Sequence, residues 1–367
     1  MSMHAAPRSL PESIPWFAPR MTGRELAAIN DVLLSGFINE GDVTRKFESR
    51  VAAVSARRYG VAVPNGTCAI ALALMACGIE HGDDVIVPDL TFIATANAVR
   101  LAGGNVILAD VDPTNLCLSA DAIADVVTPR SRFVIPVEVN GRRPAYRAIN
   151  DVCVAYDLTM ITDSCEALGS ADCGSWGRAS CFSFSPNKLV TTGQGGMVVT
   201  NSAETYGALK RLKFQGMPDR GSGGNDRHPA LGYNFKFNDI LAAVGMVQLD
   251  ALVDRLAKCR ERDRWYHDAL SGLIEFPTTA PGETCLWTDA LVDNQATLAA
   301  HFRAHGVGMR GFWFPLHTQP PYLFSRPFPA TTSISRRGVW LPSNHDITQD
   351  QVGRVVDLIK AKVKHDS

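Results

Sequence analysis

Between Val61 and Ser170 the sequence switches repeatedly between short apolar runs and longer stretches with helical spacing, and this alternation limits the folds open to the chain. VAV at 61–63 leads through an Asn65-Gly66 turn into an Ala- and Leu-rich helix from Thr67 to Cys77. VIV at 85–87 leads into a helix from about Ile93, NVILADVD into a helix over 119–127, and RFVIPVEVNG into a helix over 144–156. Strands this uniformly apolar are buried on both faces, so the pattern predicts an α/β fold with a mostly parallel sheet covered by helices on both sides. In such sheets ligands gather at the carboxyl ends of the strands. Thr67, Phe92, Asp163 and Lys188 all fall at or just after the end of an expected strand.

Lys188 stands in CFSFSPNKLVTTGQGGM, residues 181–197. Cys181 to Ser185 alternate apolar and polar as a strand does, and Pro186 ends the ladder because it has no N–H to donate. Met197 to Thr200 are extended again, so the stretch predicts two strands joined by a loop that presents the lysine. Such a lysine is either a surface residue or, desolvated, a nucleophile able to form a Schiff base. The Asn65-Gly66-Thr67 turn sets backbone N–H groups and a hydroxyl at a helix start, which serves the turn or binds an anion. Asp163, in TMITDSCEALGS, either caps a following helix or holds the protonated ring nitrogen of pyridoxal phosphate. Phe92 is a core aromatic or the cover of that ring, and Ser183 is placed to add a hydroxyl to the phosphate.

The rest of the chain frames this region. Residues 22–35 space Leu26, Ile29, Leu33 and Leu34 along one helical face, with Thr22 placed to cap, and 44–55 read as a second amphipathic helix. Residues 216–224 are polar and glycine-rich, which suits a loop able to close over a ligand. A helix from about Asn238 is expected to run on to Leu256. Residues 260–367 read as a smaller α+β unit with helices near 296–306 and 348–364 and an aromatic loop, GFWFPLHTQPPYLF. Its His317 is a substrate-edge or structural residue, because no second ligand lies at metal-binding spacing.

A net charge of −1 gives no reason to expect a nucleic acid or an anionic membrane as partner. No apolar run reaches the length of a membrane span, the amino terminus lacks the apolar core of a signal peptide, and the nine cysteines are scattered singly. A cytoplasmic protein with reduced thiols is expected.

Taken together, NGTCA, PDLTFIATANAV, ADVDP, IPVEVNG, TDSCEALGS, FSFSPNKLVTTGQGGMVVT and LGYNFKFNDILAAVGMVQL resemble the DegT/StrS group of sugar-nucleotide aminotransferases, from about Ile14 to about Lys360. The resemblance implies the aspartate-aminotransferase fold (fold type I) with pyridoxal 5'-phosphate as cofactor. A large cofactor domain would take up residues 1–250 with the N-terminal segment, and a small domain residues 251–367. By the same resemblance Lys188 matches the lysine that joins the cofactor covalently and Asp163 the carboxylate on its ring nitrogen. Phe92 matches the stacking aromatic, and Gly66, Thr67 and Ser183 the phosphate-binding positions. Asn234 matches an asparagine that reaches the neighbouring subunit's phosphate, which implies a homodimer with shared active sites.

Glu166 stands where many members carry glutamine near the ring oxygen, and Gln194 where glutamate is frequent. Lys236 replaces a frequent arginine, which matters if that residue grips an anionic substrate. Members with histidine at the lysine position act as dehydratases; the lysine here favours transamination. The implied reaction moves an amino group from an amino acid, commonly glutamate, to a keto-sugar nucleotide in amino-sugar biosynthesis, for surface polysaccharide or a secondary metabolite. The rivals are the same chemistry on a keto-cyclitol and a non-catalytic regulator that kept the cofactor.

Overall fold

The computed structural model describes residues 13–217 and 227–366. Two helices, α1 (Glu25–Leu34) and α2 (Asp42–Val54), precede the alternating region. There follow β1 (Tyr59–Val63), α3 (Gly66–Ala76), β2 (Asp84–Pro88), α4 (Ala94–Leu101), β3 (Asn105–Ala109), α5 (Ala120–Ala124), β4 (Ser131–Val134), α6 (Tyr146–Ala155) and β5 (Thr159–Asp163). A hairpin, β6 (Ala179–Ser183) and β7 (Gly196–Thr200), leads to α7 (Ala203–Lys213), α8 (Asp239–Asp250) and α9 (Leu252–Leu270). The remainder comprises β8 (Asp289–Leu291), α10 (Gln295–Ala304), β9 (Arg310–Gly311), α11 (Pro329–Arg337), β10 (Gly338–Trp340) and α12 (Gln349–Asp366).

The first seven strands form one sheet in the order β1-β7-β6-β5-β4-β2-β3. Only β7 runs against the others, pairing antiparallel with β1 and β6. The expected mostly parallel sheet is therefore present, and its strands are buried as their apolar sequences require. Its two faces feed separate apolar clusters, one around Phe47, Phe184 and Met197 and one around Ile70, Val85 and Phe133. A second sheet, β8-β10-β9, carries α10 and α12 and has its own core around Tyr266, Phe302 and Val355. Ile14 joins this second core, hydrogen-bonding to Gly306 and Gly308 at 2.9 and 2.7 Å.

Four local expectations are corrected. The helix expected over 119–127 is only Ala120–Ala124, because Val126 donates to Ile123 in a tight turn and Pro129 bars continuation. RFVIPVEVNG is a strand only as far as Val134. Beyond Pro136 the chain bends into a single turn in which Asn140 adopts φ +53°. The helix from Asn238 breaks at Ala251, whose N–H bonds to Gln248, so α8 and α9 are separate. On α1, Leu26, Leu33 and Leu34 stay exposed, while Glu25 and Val32 are the buried positions. Most of the loop at 216–224 lies outside the described residues.

Candidate active site

The carboxyl edge of the large sheet opens into a cavity of about 370 Å³. One wall is the turn from β1 into α3. Asn65 is extended (φ −165°, ψ 173°) and its side chain accepts the Cys68 N–H at 2.9 Å, so it caps the helix. Within the helix geometry the N–H groups of Gly66 and Thr67 have no acceptor of their own, and they sit at the positive end of its dipole. The packing there tolerates no side chains. A Cβ on Gly66 would lie 2.9 Å from the Cys165 sulfur and 3.1 Å from Ser183, and one on Gly196 would lie 2.3 Å from the Asn65 carbonyl oxygen.

The opposite pole is Asp163, the last residue of β5 and buried. One carboxylate oxygen accepts the Thr95 hydroxyl at 2.8 Å and the other the Cys165 N–H at 3.1 Å. No helix follows Asp163, so its carboxylate caps nothing beyond that two-residue turn. Two donors fix the carboxylate, and no cation is paired with it among the described residues.

Lys188 stands between these poles on the loop joining β6 and β7. That loop is pinned at its base, where Phe184 donates to Gly195 at 2.8 Å and accepts from Thr191 and Thr192 at 3.1 and 3.0 Å. The Lys188 side chain is mostly but not fully buried, with Nζ 3.3 Å from a Glu166 carboxylate oxygen and 5.3 Å from the Trp287 ring centroid. Burial raises the pKa of Glu166, and the neighbouring Lys188 ammonium opposes the shift. The other Glu166 oxygen accepts the Asn140 N–H at 3.0 Å, which is where the left-handed turn at 139–141 is used. Phe92 is half exposed, a large aromatic standing in the cavity rather than in the core.

Of the residues singled out in the sequence, Gly66, Thr67, Phe92, Asp163, Glu166, Ser183, Lys188 and Gln194 line this one cavity. Asn234 and Lys236 do not; both are exposed on the segment before α8, where Asn234 pairs with Phe214. Nor does His317, whose Nδ1 lies 2.6 Å from an Asp89 carboxylate oxygen and whose ring stacks on Phe328 at 4.7 Å. The cavity also holds Trp287, Arg310 and Trp313 from the second sheet and its approaches. The aromatic loop from Gly311 signalled Trp313 alone, without saying which way it faces; nothing in the sequence pointed to Trp287 or Arg310.

The residues present fit pyridoxal phosphate. A helix start that only glycine can form, with Thr67 and Ser183 beside it, suits the phosphate. A fixed buried carboxylate suits the ring nitrogen, and an amine between them suits the aldehyde. A seven-stranded α/β sheet with this constellation at its carboxyl edge defines an enzyme that works on amines through a pyridoxal cofactor.

Comparison with known proteins narrows the class. The chain belongs to the DegT/DnrJ/EryC1/StrS aminotransferase family, whose model matches residues 19–360. It is a pyridoxal-phosphate-dependent aminotransferase. It is 32% identical over 357 residues to GDP-perosamine synthase of Escherichia coli O157:H7, covering 94% of this chain and 97% of that one. Its fold superposes on the aminotransferase TlmJ from Streptoalloteichus hindustanus with a TM-score of 0.90 at 26% identity, over 96% of this chain and 99% of that one. It superposes likewise on DesI, solved in the presence of its TDP-sugar product, with a TM-score of 0.87 at 28% identity, over 98% and 94% of the two chains.

Proposed function

We propose that this aminotransferase moves an amino group from an amino acid, glutamate by the family resemblance, to a keto-sugar nucleotide in amino-sugar biosynthesis. The observation that carries the chemistry is the Lys188 amine held in one cavity with buried Asp163 and the glycine-built start of α3. The substrate class is supported by the similarity to GDP-perosamine synthase and to a protein solved with a TDP-sugar product.

Bound in this cavity, pyridoxal phosphate supplies an aldehyde and a cationic ring that withdraws electrons from the donor's α-carbon. The N–H groups at the start of α3, with Thr67 and Ser183, hold the phosphate. Asp163, steadied by Thr95 and the Cys165 N–H, keeps the proton on the ring nitrogen. Phe92, standing in the cavity, would cover one face of the ring. Lys188 would hold the cofactor's aldehyde, and its Nζ would carry the proton to and from the donor's α-carbon. Glu166 holds that amine in line, and Asn140 holds Glu166. The same residues would serve the sugar carbonyl in the second half of the transfer.

The proposal includes a homodimer in which Asn234 of each protomer serves the other's phosphate. Support comes from the exposure of Asn234 outside its own cavity and from the exposed apolar residues of α1, continued by Phe37 and Ile38. It also includes a division near residue 250 between a cofactor domain and a smaller one, for which the second sheet and its separate core speak. A cytoplasmic setting is part of the same reading; no helix among the described residues is long and apolar enough to cross a membrane.

The test is spectroscopic, then synthetic. Reconstituted protein is expected to show the absorbance of lysine-bound cofactor and to lose it when glutamate is added. GDP-, UDP- and dTDP-linked keto sugars offered beside a keto-inositol then report the acceptor. Silence toward every amino acid would remove the reaction, and amination of the keto-inositol alone would replace the acceptor.

A further inference from the structure

Arg310, on β9, lines the same cavity as Lys188. Its guanidinium carbon lies 5.3 Å from the ring centroids of both Trp16 and Trp340. No ion pair among the described residues includes it. Trp16, Trp287 and Trp340 touch one another, with centroid separations of 4.9 to 6.0 Å, and the Lys188 amine lies over Trp287. The indole Nε1 of all three tryptophans is buried without a protein acceptor. With those N–H groups buried away from the cavity, what this wall presents to a ligand is the Arg310 guanidinium beside aromatic faces. Its chemical complement is an anion with planar oxygens, which a guanidinium stacked on aromatic faces still meets through its in-plane N–H edge.

Among the described residues two cationic side chains line the cavity, Lys188 and Arg310. The first is engaged with Glu166 and, in the reaction proposed above, with the cofactor. That leaves Arg310 to balance the charge of an incoming amino acid. An α-carboxylate is one bond from the carbon that bears the amine, so its cation belongs in the same small cavity as Lys188. The diphosphate of a sugar nucleotide is separated from the reacting carbonyl by the sugar ring and belongs farther out.

We infer that Arg310 is the residue that takes a carboxylate of the amino donor, with the surrounding tryptophans holding its guanidinium in place. This rests on the proposed use of an amino-acid donor. The experiment measures binding of L-glutamate, of glutarate (the dicarboxylate without the amine) and of GDP and dTDP to holoenzyme by calorimetry, in the wild type, R310Q and R310K. Thermal melting is followed alongside. R310Q is expected to weaken glutamate and glutarate about 10- to 100-fold, the scale of a lost charged hydrogen bond, and to leave GDP and dTDP within about twofold. R310K keeps a cation on the rings but not the fork, so it should fall between, and it carries the test if R310Q melts early. Unchanged glutarate binding would overturn the inference, as would an equal loss for the nucleotides, which would give Arg310 to the diphosphate. Glutarate is bound without chemistry, so wild type that binds it through Arg310 yet ignores glutamate would refute the donor and not the subsite.

Discussion

At position 188 a change of one side chain separates charge from chemistry. Lys188→Ala removes both the amine and the cation beside Glu166, whereas Lys188→Arg keeps a cation that cannot form an imine. Both variants are expected to lose the cofactor absorbance and all turnover; activity in either would refute the assignment. Asp163→Ala should cost about 2–4 kcal/mol of transition-state stabilisation, the scale of one lost electrostatic partner, read as kcat/KM. Lys188, Asp163, Thr67 and Ser183 were legible in the sequence because each ends or follows a strand whose apolar pattern marks it. Trp287 and Arg310 were not. They reach the cavity of Lys188 across about a hundred residues of chain or more, and no periodicity or spacing links them to it. Asn140 was hidden for another reason: its contribution is a backbone N–H exposed by a left-handed turn.

The elements show the same division between local rule and tertiary result. The apolar runs became strands and the glycine-built turn became the start of α3, because backbone hydrogen bonding and burial act locally there. β4 stopped early at a proline that lacks a donor. α1 exposes an apolar stripe that sequence periodicity would bury, because none of the described residues lies over it. The segment after β4 also buries a carboxylate that no pattern announced. Glu138 is fully buried; it accepts the Tyr146 hydroxyl at 2.6 Å and the Gly174 N–H at 3.0 Å. Burial pushes its pKa up to about 7, outweighing those hydrogen bonds. Between the ordinary glutamate value of 4.5 and about 7 the folded chain holds a proton that the unfolded chain has released. Stability from this group is therefore lost as pH rises through that window. Glu138→Gln should remove that dependence, so the melting temperature of the variant relative to wild type should rise from pH 5 to pH 7. A difference that stays flat, or falls, would mean that Glu138 ionises normally.

Across the whole molecule, the two sheets are joined by a buried polar link rather than by apolar contact alone. Arg142, just beyond the turn at 139–141, forms an ion pair with Asp289 at the start of β8. Asn140 donates to the same Asp289 oxygen at 2.8 Å and to the Trp287 carbonyl at 2.6 Å, and its own side-chain oxygen accepts the Trp287 N–H at 2.8 Å. Both charges are almost fully buried, so neither can fall back on water if the other is removed. The same asparagine holds Glu166, and Trp287 lies under the Lys188 amine, so the link that fastens the second sheet also sets the far wall of the cavity. Asp289→Ala strands the Arg142 guanidinium and is expected to cost about 3–5 kcal/mol in urea unfolding, with Asp289→Asn losing less because it keeps an acceptor. Because Asn140, which holds both Trp287 and Glu166, loses its Asp289 acceptor in the same step, the cofactor absorbance of Asp289→Ala should shift even where the protein stays folded. A loss below about 0.5 kcal/mol with an unmoved spectrum, the scale of an ordinary surface change, would show that the sheets are held together elsewhere and that the wall behind Lys188 does not depend on this pair.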